Sequence, residues 1–407
     1  MTELHSRREL LKRSVGGVTA LVGTPEIASA NTQESGQLVR EVLTPAEKFF
    51  DVARGNPVPH TLRGEGLLKA RLTPDTWRLE VIGEGGANVP KPLTLQDGSA
   101  LDLPMLMNMG KTHGVKFLKA IQCLNIPQPL GQGLWEGVPL REVLRLTGSF
   151  SNVRRVYYWG FHNDDPKQVF QSSLSLTQAL ETPPWELPAF LAYRLNGKPL
   201  PLERGGPVRM LIPWAHGFKS IKWLHRIVLT NGFHANDIYA EANNDPESHL
   251  KTAAYLENLP DRIPGGKPIG VRGTVISGLS GLKRVEYWLR RTTGMEQPLG
   301  ENDPAWDTAK WIKCRIDSPP SDWKHILPVG VKPSEIWGFD LVTGKPRDWP
   351  PRYGMTGWVA NVGVLPPGQY EIRARAVDLN GFAQPEPRAN RQTGLNSIEV
   401  KRFEVIA

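Results

Sequence analysis

One sulfur, Cys123, is the side chain in this sequence best placed for chemistry. It closes the apolar, strand-like run Lys119-Ala-Ile-Gln-Cys-Leu-Asn-Ile-Pro127, which delivers it into an Asn/Pro/Gly-rich loop. A Trp135-Glu136-Gly137 turn then leads into a short amphipathic helix beginning at Leu140. That placement suits a soft metal ligand. The competing reading is a buried, inert thiol, because free cysteine usually behaves as a small hydrophobe. Cys314 lies far along the chain, so the two cysteines form no CxxC or zinc-ligand spacing, although one disulfide between them stays open. The nine histidines are scattered and suggest neither a zinc site nor a nucleophile triad.

The scaffold holding this sulfur must be large and rich in loops. With 407 residues the chain can form two or three cores, and 36 Pro, 40 Gly and 13 Trp argue against long helices. The net charge of +8 is spread along the sequence without a run of like charges, which excludes a nucleic-acid footprint. It is compatible with an anionic ligand in a cleft, and equally with a mildly basic surface.

The first 30 residues have the layout of an export signal. Ser6-Arg7-Arg8 and Leu-Leu-Lys12 precede a weakly apolar stretch from Val15 to Val22 and the small residues Ala28-Ser-Ala30. The paired arginines look like a twin-arginine signal, which implies a periplasmic protein. No segment is apolar enough over about 20 residues to span a bilayer. Residues 31–43 read as a linker.

Along the remaining chain, Leu43 to His60 sets an aromatic anchor beside a Pro/Gly/Asn loop that presents Arg54. Thr76 to Ile82, Val153 to Trp159, Phe190 to Leu200 with its Asn-Gly turn, and Ile227 to Leu229 read as strands. Pro92 to Leu101 reads as a turn and a short strand. Helical periodicity is confined to Leu140–Leu146 and Leu176–Leu180. After about Tyr255 the pattern becomes alternating strands: Pro268 to Ser277, Arg284 to Arg290, Gly368 to Ala376 and Ser397 to Val405. The expected fold is α+β: a mixed domain over 44–255, followed by an all-β sandwich over 256–407.

Several segments, in order from Thr44 to Val405, resemble the sulfite oxidase family of molybdenum-pterin enzymes. They are Phe49-Phe50 with Pro57-Val-Pro59, Gln122-Cys123, Trp135-Glu-Gly-Val-Pro-Leu-Arg-Glu-Val-Leu144 and Ala192-Tyr-Arg-Leu-Asn-Gly-Lys-Pro-Leu-Pro201. Gly205-Gly-Pro-Val-Arg209 and Lys219-Ser-Ile-Lys-Trp-Leu224 follow, and Tyr370 to Pro385 resembles the family's immunoglobulin-like dimerisation domain. The resemblance implies that Cys123 ligates molybdenum held by molybdopterin. It implies cofactor contacts from Arg209, Ser220, Ile221 and Lys222, with His216 and Lys219 on the same loop. Arg204 stands where the family has a histidine. Arg54 lies near a family arginine close to the metal, in a loop one residue longer than the family's. Asp164 resembles a family aspartate that contacts the pterin, with Asp165 its nearest competitor.

The departures bear on substrate. Leu124-Asn-Ile-Pro-Gln128 replaces the Ala-Gly-Asn and basic residues of sulfite oxidases. The family's active-site tyrosine falls near Asn243-Asn244, with Tyr239 a distant candidate. Trp214-Ala-His-Gly-Phe-Lys is similar to the bacterial branch that includes sulfoxide reductases. The resemblance implies oxygen-atom transfer, with oxidation of an inorganic sulfur compound first and reduction of a sulfoxide second. A non-catalytic exported binding protein on the same scaffold is the rival. No haem-binding His-Pro-Gly-Gly module occurs in the sequence, so a separate electron partner such as a c-type cytochrome is expected, together with a small-molecule substrate and a homodimer. Cys314 reads as structural, and Trp185, Trp288 and Trp337 as core or interface anchors.

Overall fold

The computed structural model describes residues 41–407 apart from 124, 125, 127, 237–245, 258, 301, 302 and 385–397. The expected signal at 1–30, most of the 31–43 linker, Leu124, Asn125, Pro127, Tyr239, Asn243 and Asn244 therefore lie outside the described residues.

Chain order in the first part is α1 (Gly64–Lys69), β1 (Arg78–Glu84), β2 (Leu101–Asp102), α2 (Leu103–His113), β3 (Val115–Gln122), β4 (Pro129–Pro139), α3 (Leu140–Arg145), β5 (Arg155–Gly160), β6 (Gln171–Ser175), α4 (Leu176–Leu180), β7 (Phe190–Leu195), β8 (Lys198–Pro199), β9 (Arg209–Leu211) and β10 (Leu224–Thr230). These strands make two sheets. One has the order β2-β1-β10-β5-β6, with β1 and β10 parallel. The other is β3-β4-β7-β8, with β9 also paired to β7. Between them lies an apolar core that includes Trp77, Leu106, Val143, Tyr158, Met210 and Ile227. β3 is buried at seven of its eight positions, Lys119 and Gln122 included, because both its faces are covered.

The two short helices expected from periodicity are present. Ser175 caps α4 through a reciprocal capping box with Gln178. α2 is the longest helix described, and periodicity misses it because its core-facing Leu103, Leu106 and Met107 are interleaved with Met105 and Met109. Its real signal is local: Asp102 accepts from the Met105 N–H, and Pro104 occupies the first turn. Trp135-Glu136-Gly137 is not a turn. It lies inside β4, where Trp135 faces Leu195 and Gly137 faces Ala192, and a bulge between Glu136 and Gly137 supplies the irregularity.

The second part contains β11 (Ala253–Leu256), β12 (Arg262–Pro264), β13 (Gly270–Ile276), β14 (Arg284–Thr292), α5 (Ala305–Thr308), β15 (Ile312–Lys313), β16 (Arg315–Ile316), β17 (Met355–Asn361), β18 (Gly368–Val377) and β19 (Val400–Ile406). They form sheets β11-β13-β17-β16 and β12-β19-β18-β14-β15, which share a core containing Val275, Tyr287, Trp358, Ile372 and Phe403. β11 begins at Ala253, so the first of these sheets starts just before residue 256. A further cluster joins Phe117 and Ala120 of β3 to Tyr255, Ile276 and Tyr353. Both cysteines are free thiols. Cys314 is buried, and burial pushes its thiol up to about 12, with Glu286 adding to the effect. Trp337 packs partly buried, whereas Trp185 is 75% exposed and is not a core residue.

Candidate active site

Cys123 follows the last residue of β3, where the hairpin to β4 opens. It packs beside Phe49, Ile121 and Leu130 and lines a cavity of about 290 Å³, near the lower end of ordinary ligand pockets. Four other segments converge on this cavity: residues 49–55, residues 160–170, the turn Leu202–Arg204 with β9, and residues 217–223.

The cation-bearing segments are fastened to one another by backbone pairing. Met210 N–H donates to Ile221 O (2.9 Å), Leu224 N–H to Val208 O (2.9 Å) and Trp223 N–H to Gly205 O (3.0 Å). Gly205, at φ 100°, makes the left-handed turn after Arg204, and a Cβ there would sit 2.7 Å from Lys222 Cγ. Arg209 donates to Arg204 O (2.9 Å) and Ser220 O (2.5 Å), and its guanidinium lies 5.3 Å from the Trp135 ring. Ser220 Oγ in turn accepts from the Ile212 N–H at 3.1 Å.

Electrostatics set the character of the cavity. Arg54, Arg204, Arg209 and Lys222 line it, and no Asp or Glu does so among the described residues. Asp51, just outside, accepts from Lys222 at 3.0 Å and Arg204 at 3.2 Å. Partial burial works against the Asp51 carboxylate, but Lys222 and Arg204 still hold its pKa below the usual value. Burial pushes Lys222 down to about 8, with Arg209 adding to the effect and Asp51 opposing it. Burial and Arg204 likewise lower the pKa of Arg209, though a guanidinium keeps its proton. The Nε atoms of Arg204 and Arg209 are buried without a hydrogen-bond partner among the described residues. Lys119, on β3, is fully buried and pushed down to about 7, first by burial and then by Arg209. Its ammonium donates to Pro213 O at 2.7 Å.

The cavity therefore unites Cys123, Arg54, Arg204, Arg209, Ser220, Ile221 and Lys222 from the sequence-based set. Arg54 stacks its guanidinium 4.3 Å over the Phe170 ring. Three expected residues do not line the cavity. Lys219 is buried, and its ammonium donates to Ser173 O at 3.0 Å on β6. His216 is buried at the head of the Gly217–Lys219 turn, where its carbonyl accepts from Lys219 N–H. Asp164 is exposed at φ 54°. Neighbouring Asp165 caps the Pro166–Gln168 turn, accepting from Lys167 N–H at 2.9 Å. Asp51, His162, Gln168 and Lys119 escaped the sequence reading. Asp51 directly follows the Phe49-Phe50 anchor, which was a usable signal; the other three carry none.

These residues fit an anionic, sulfur-ligated group. Four cations without a lining carboxylate, two unpartnered guanidinium nitrogens and one thiol at the edge form a donor set for phosphate and a soft metal. Among the described residues no group of three or more His, Cys, Asp or Glu stands ready to hold a metal ion by itself.

Comparison with known proteins points the same way. Residues 66–237 match the family described as oxidoreductase molybdopterin binding domain. The chain is 29% identical to mitochondrial sulfite oxidase of Drosophila melanogaster over 367 residues, covering 86% of this chain and 56% of that protein. It is 28% identical to the protein-methionine-sulfoxide reductase catalytic subunit MsrP of Xanthomonas campestris over 214 residues, covering 49% of this chain and 58% of that protein. The chain thus spans only a little over half the length of these curated relatives. The sulfane dehydrogenase SoxCD of Paracoccus pantotrophus shares the fold, with a TM-score of 0.55, 17% identity and 86% of each chain covered. Residues 66–237 thus carry the sequence of a molybdopterin-binding domain, and the donor set of the cavity fits such a group. Among the proteins it is similar to, mitochondrial sulfite oxidases recur.

Proposed function

We propose that this chain is an exported molybdenum-molybdopterin oxidoreductase that oxidises an inorganic sulfur compound by oxygen-atom transfer. The observation carrying this reading is the convergence of the Cys123 thiol with Arg54, Arg204, Arg209 and Lys222 on one cavity without a lining carboxylate. When bound, the cofactor supplies two-electron oxygen-atom exchange with a sulfur lone pair. The protein's part is to hold and orient. Cys123 ligates the metal, while Arg204, Arg209 and Lys222 neutralise the phosphate beside Ser220 and Ile221. Arg54 closes the cavity wall over Phe170. Lys219 and His216 stiffen the turn behind it, and Asp164, outside the cavity lining, would reach the pterin only where the group extends past the cavity.

The two β-sheets of the second part are read as an immunoglobulin-like sandwich over 256–407 that forms a homodimer, with the mixed domain at 44–255. The twin-arginine pattern supports periplasmic export, and no described helix is long and apolar enough to cross a membrane. A separate electron carrier, such as a c-type cytochrome, takes the electrons.

Reduction of a sulfoxide is the second reading. It is favoured by the apolar remainder of the cavity, including Phe50, Ile126, Phe161 and Phe218, and by the similarity to MsrP. Purified, metal-loaded protein assayed for cytochrome c reduction with sulfite and thiosulfate, and for oxidation of reduced dye with sulfoxides, decides between them. Turnover only in the dye assay overturns the first reading, and turnover in neither assay with any of these substrates favours the binding-protein rival.

A further inference from the structure

Gln122, the last residue of β3, is only 4% exposed, and its side chain bonds to carbonyls beyond the strand end. Its Nε2 donates to Cys123 O at 2.9 Å and to Ile126 O at 2.6 Å. The amide orientation is fixed by these contacts, because the flipped form would set an oxygen against two carbonyl oxygens. In this orientation Oε1 is buried without a partner among the described residues, a cost accepted only where the Nε2 contacts are needed. The backbone explains that need. β3 slips register between Ile121 and Gln122, and Gln122 then faces Pro129, which has no N–H to offer the ladder. The chain around Cys123 thus leaves the sheet with its carbonyls unpaired by strand neighbours, and a primary amide carries two N–H donors on one nitrogen.

The cation-bearing loop is seated on the same strand end. Gly217 abuts it so closely that a Cβ there would stand 2.9 Å from Ile121 Cγ2 and 3.2 Å from Gln122 O. The position of Gln122 therefore also sets the spacing between Cys123 and the 217–222 segment.

We infer that Gln122 is a positioning residue: its carboxamide clamps Cys123 O and Ile126 O together and so fixes where the Cys123 sulfur stands in the cavity. The inference rests on the reading of Cys123 as the metal ligand, and it adds the group that aims that ligand. Methionine in its place keeps the volume but removes both donors. Asparagine keeps an amide but is one methylene too short to bridge both carbonyls. Glutamate places negative charge against two carbonyls and beside the thiolate.

The test uses the full chain in two forms. In chain from a molybdate-starved host, Cys123 is labelled with iodoacetamide and read by peptide mass. In metal-loaded chain, the thiolate-to-metal absorption band is recorded per bound molybdenum. Gln122→Met, at an unchanged circular dichroism spectrum, is expected to label roughly tenfold faster and to shift the band, since two hydrogen bonds no longer hold the arch closed. If Gln122→Met does not fold, Gln122→Asn takes its place with a smaller change in the same directions. A wild-type labelling rate, or a band identical to wild type at matched metal content, overturns the inference. Failure of the metal-ligand reading shows separately, as unchanged molybdenum in Cys123→Ser.

Discussion

The Lys222 ammonium reaches the Asp51 carboxylate at 3.0 Å, and no other carboxylate among the described ion pairs reaches Lys222 or its neighbour Arg204. One acid thus balances a cavity wall of several cations. Asp51→Asn is expected to destabilise the metal-free chain by about 1–2 kcal/mol, since it leaves buried cations facing one another. Added pyrophosphate should then raise the melting temperature more in the variant than in the wild type. Equal shifts would show that Asp51 does not compete with an anionic ligand for these cations.

Arg209→Met removes a buried guanidinium whose Nε is unpartnered among the described residues. Loss of a charge-assisted hydrogen bond predicts cofactor retention weaker by roughly 10- to 100-fold. Molybdenum content and pterin fluorescence after extended dialysis measure it. Lys222→Met should act in the same direction. Retention equal to wild type in both variants would remove these cations from the cofactor site.

Lys119 gives a pH prediction. Its folded-state pKa of about 7 lies below the ordinary 10.5, so between these values the unfolded chain binds more protons than the folded one. Stability contributed at this position therefore rises with pH across that window, by up to about 1.4 kcal/mol per pH unit. The burden of a buried ammonium is fully present below pH 7. The stability of wild type relative to Lys119→Met should improve between pH 7 and 10, as read by urea midpoints. A difference that is flat with pH would contradict the assignment.

Cys314 is buried and its thiol pushed up to about 12, so folded, metal-free protein should leave it unlabelled by iodoacetamide while Cys123 reacts. Cys314→Ser should leave molybdenum content unchanged. Rapid native labelling at Cys314 would show a thiol more open than its packing allows.

What the sequence disclosed follows from how local each signal is. The Asn196-Gly197 turn was legible because both residues take positive φ, at 51° and 75°. β14 and β18 were legible because apolar and charged residues alternate along them, as in Val285-Glu-Tyr287 and Tyr370-Glu-Ile-Arg-Ala374, although the charged positions Glu286, Glu371 and Arg373 are buried as well. α2 was hidden because its apolar stripe, Leu103, Leu106 and Met107, spans little more than one turn and is interleaved with the further apolar residues Met105 and Met109. Trp135-Glu136-Gly137 misled because its glycine marks a bulge inside a strand. At the site, Cys123 and the 204–222 cations stood out through ordered motifs. Gln168 and His162 did not, because their place at the cavity is set by tertiary contacts: Gln168 Oε1 accepts from Asn56 N–H at 2.8 Å, across a long gap in sequence.

The central claim is that Cys123 holds molybdenum in the cation-lined cavity. Metal analysis of chain purified from a molybdate-replete host, compared with Cys123→Ser prepared identically, tests it most directly. The account predicts about one molybdenum per wild-type chain and a severalfold loss in the variant, since the ligand sulfur is part of the site's binding energy. A folded wild-type chain without molybdenum, or a Cys123→Ser chain that carries as much as wild type with an unchanged metal absorption spectrum, would contradict it.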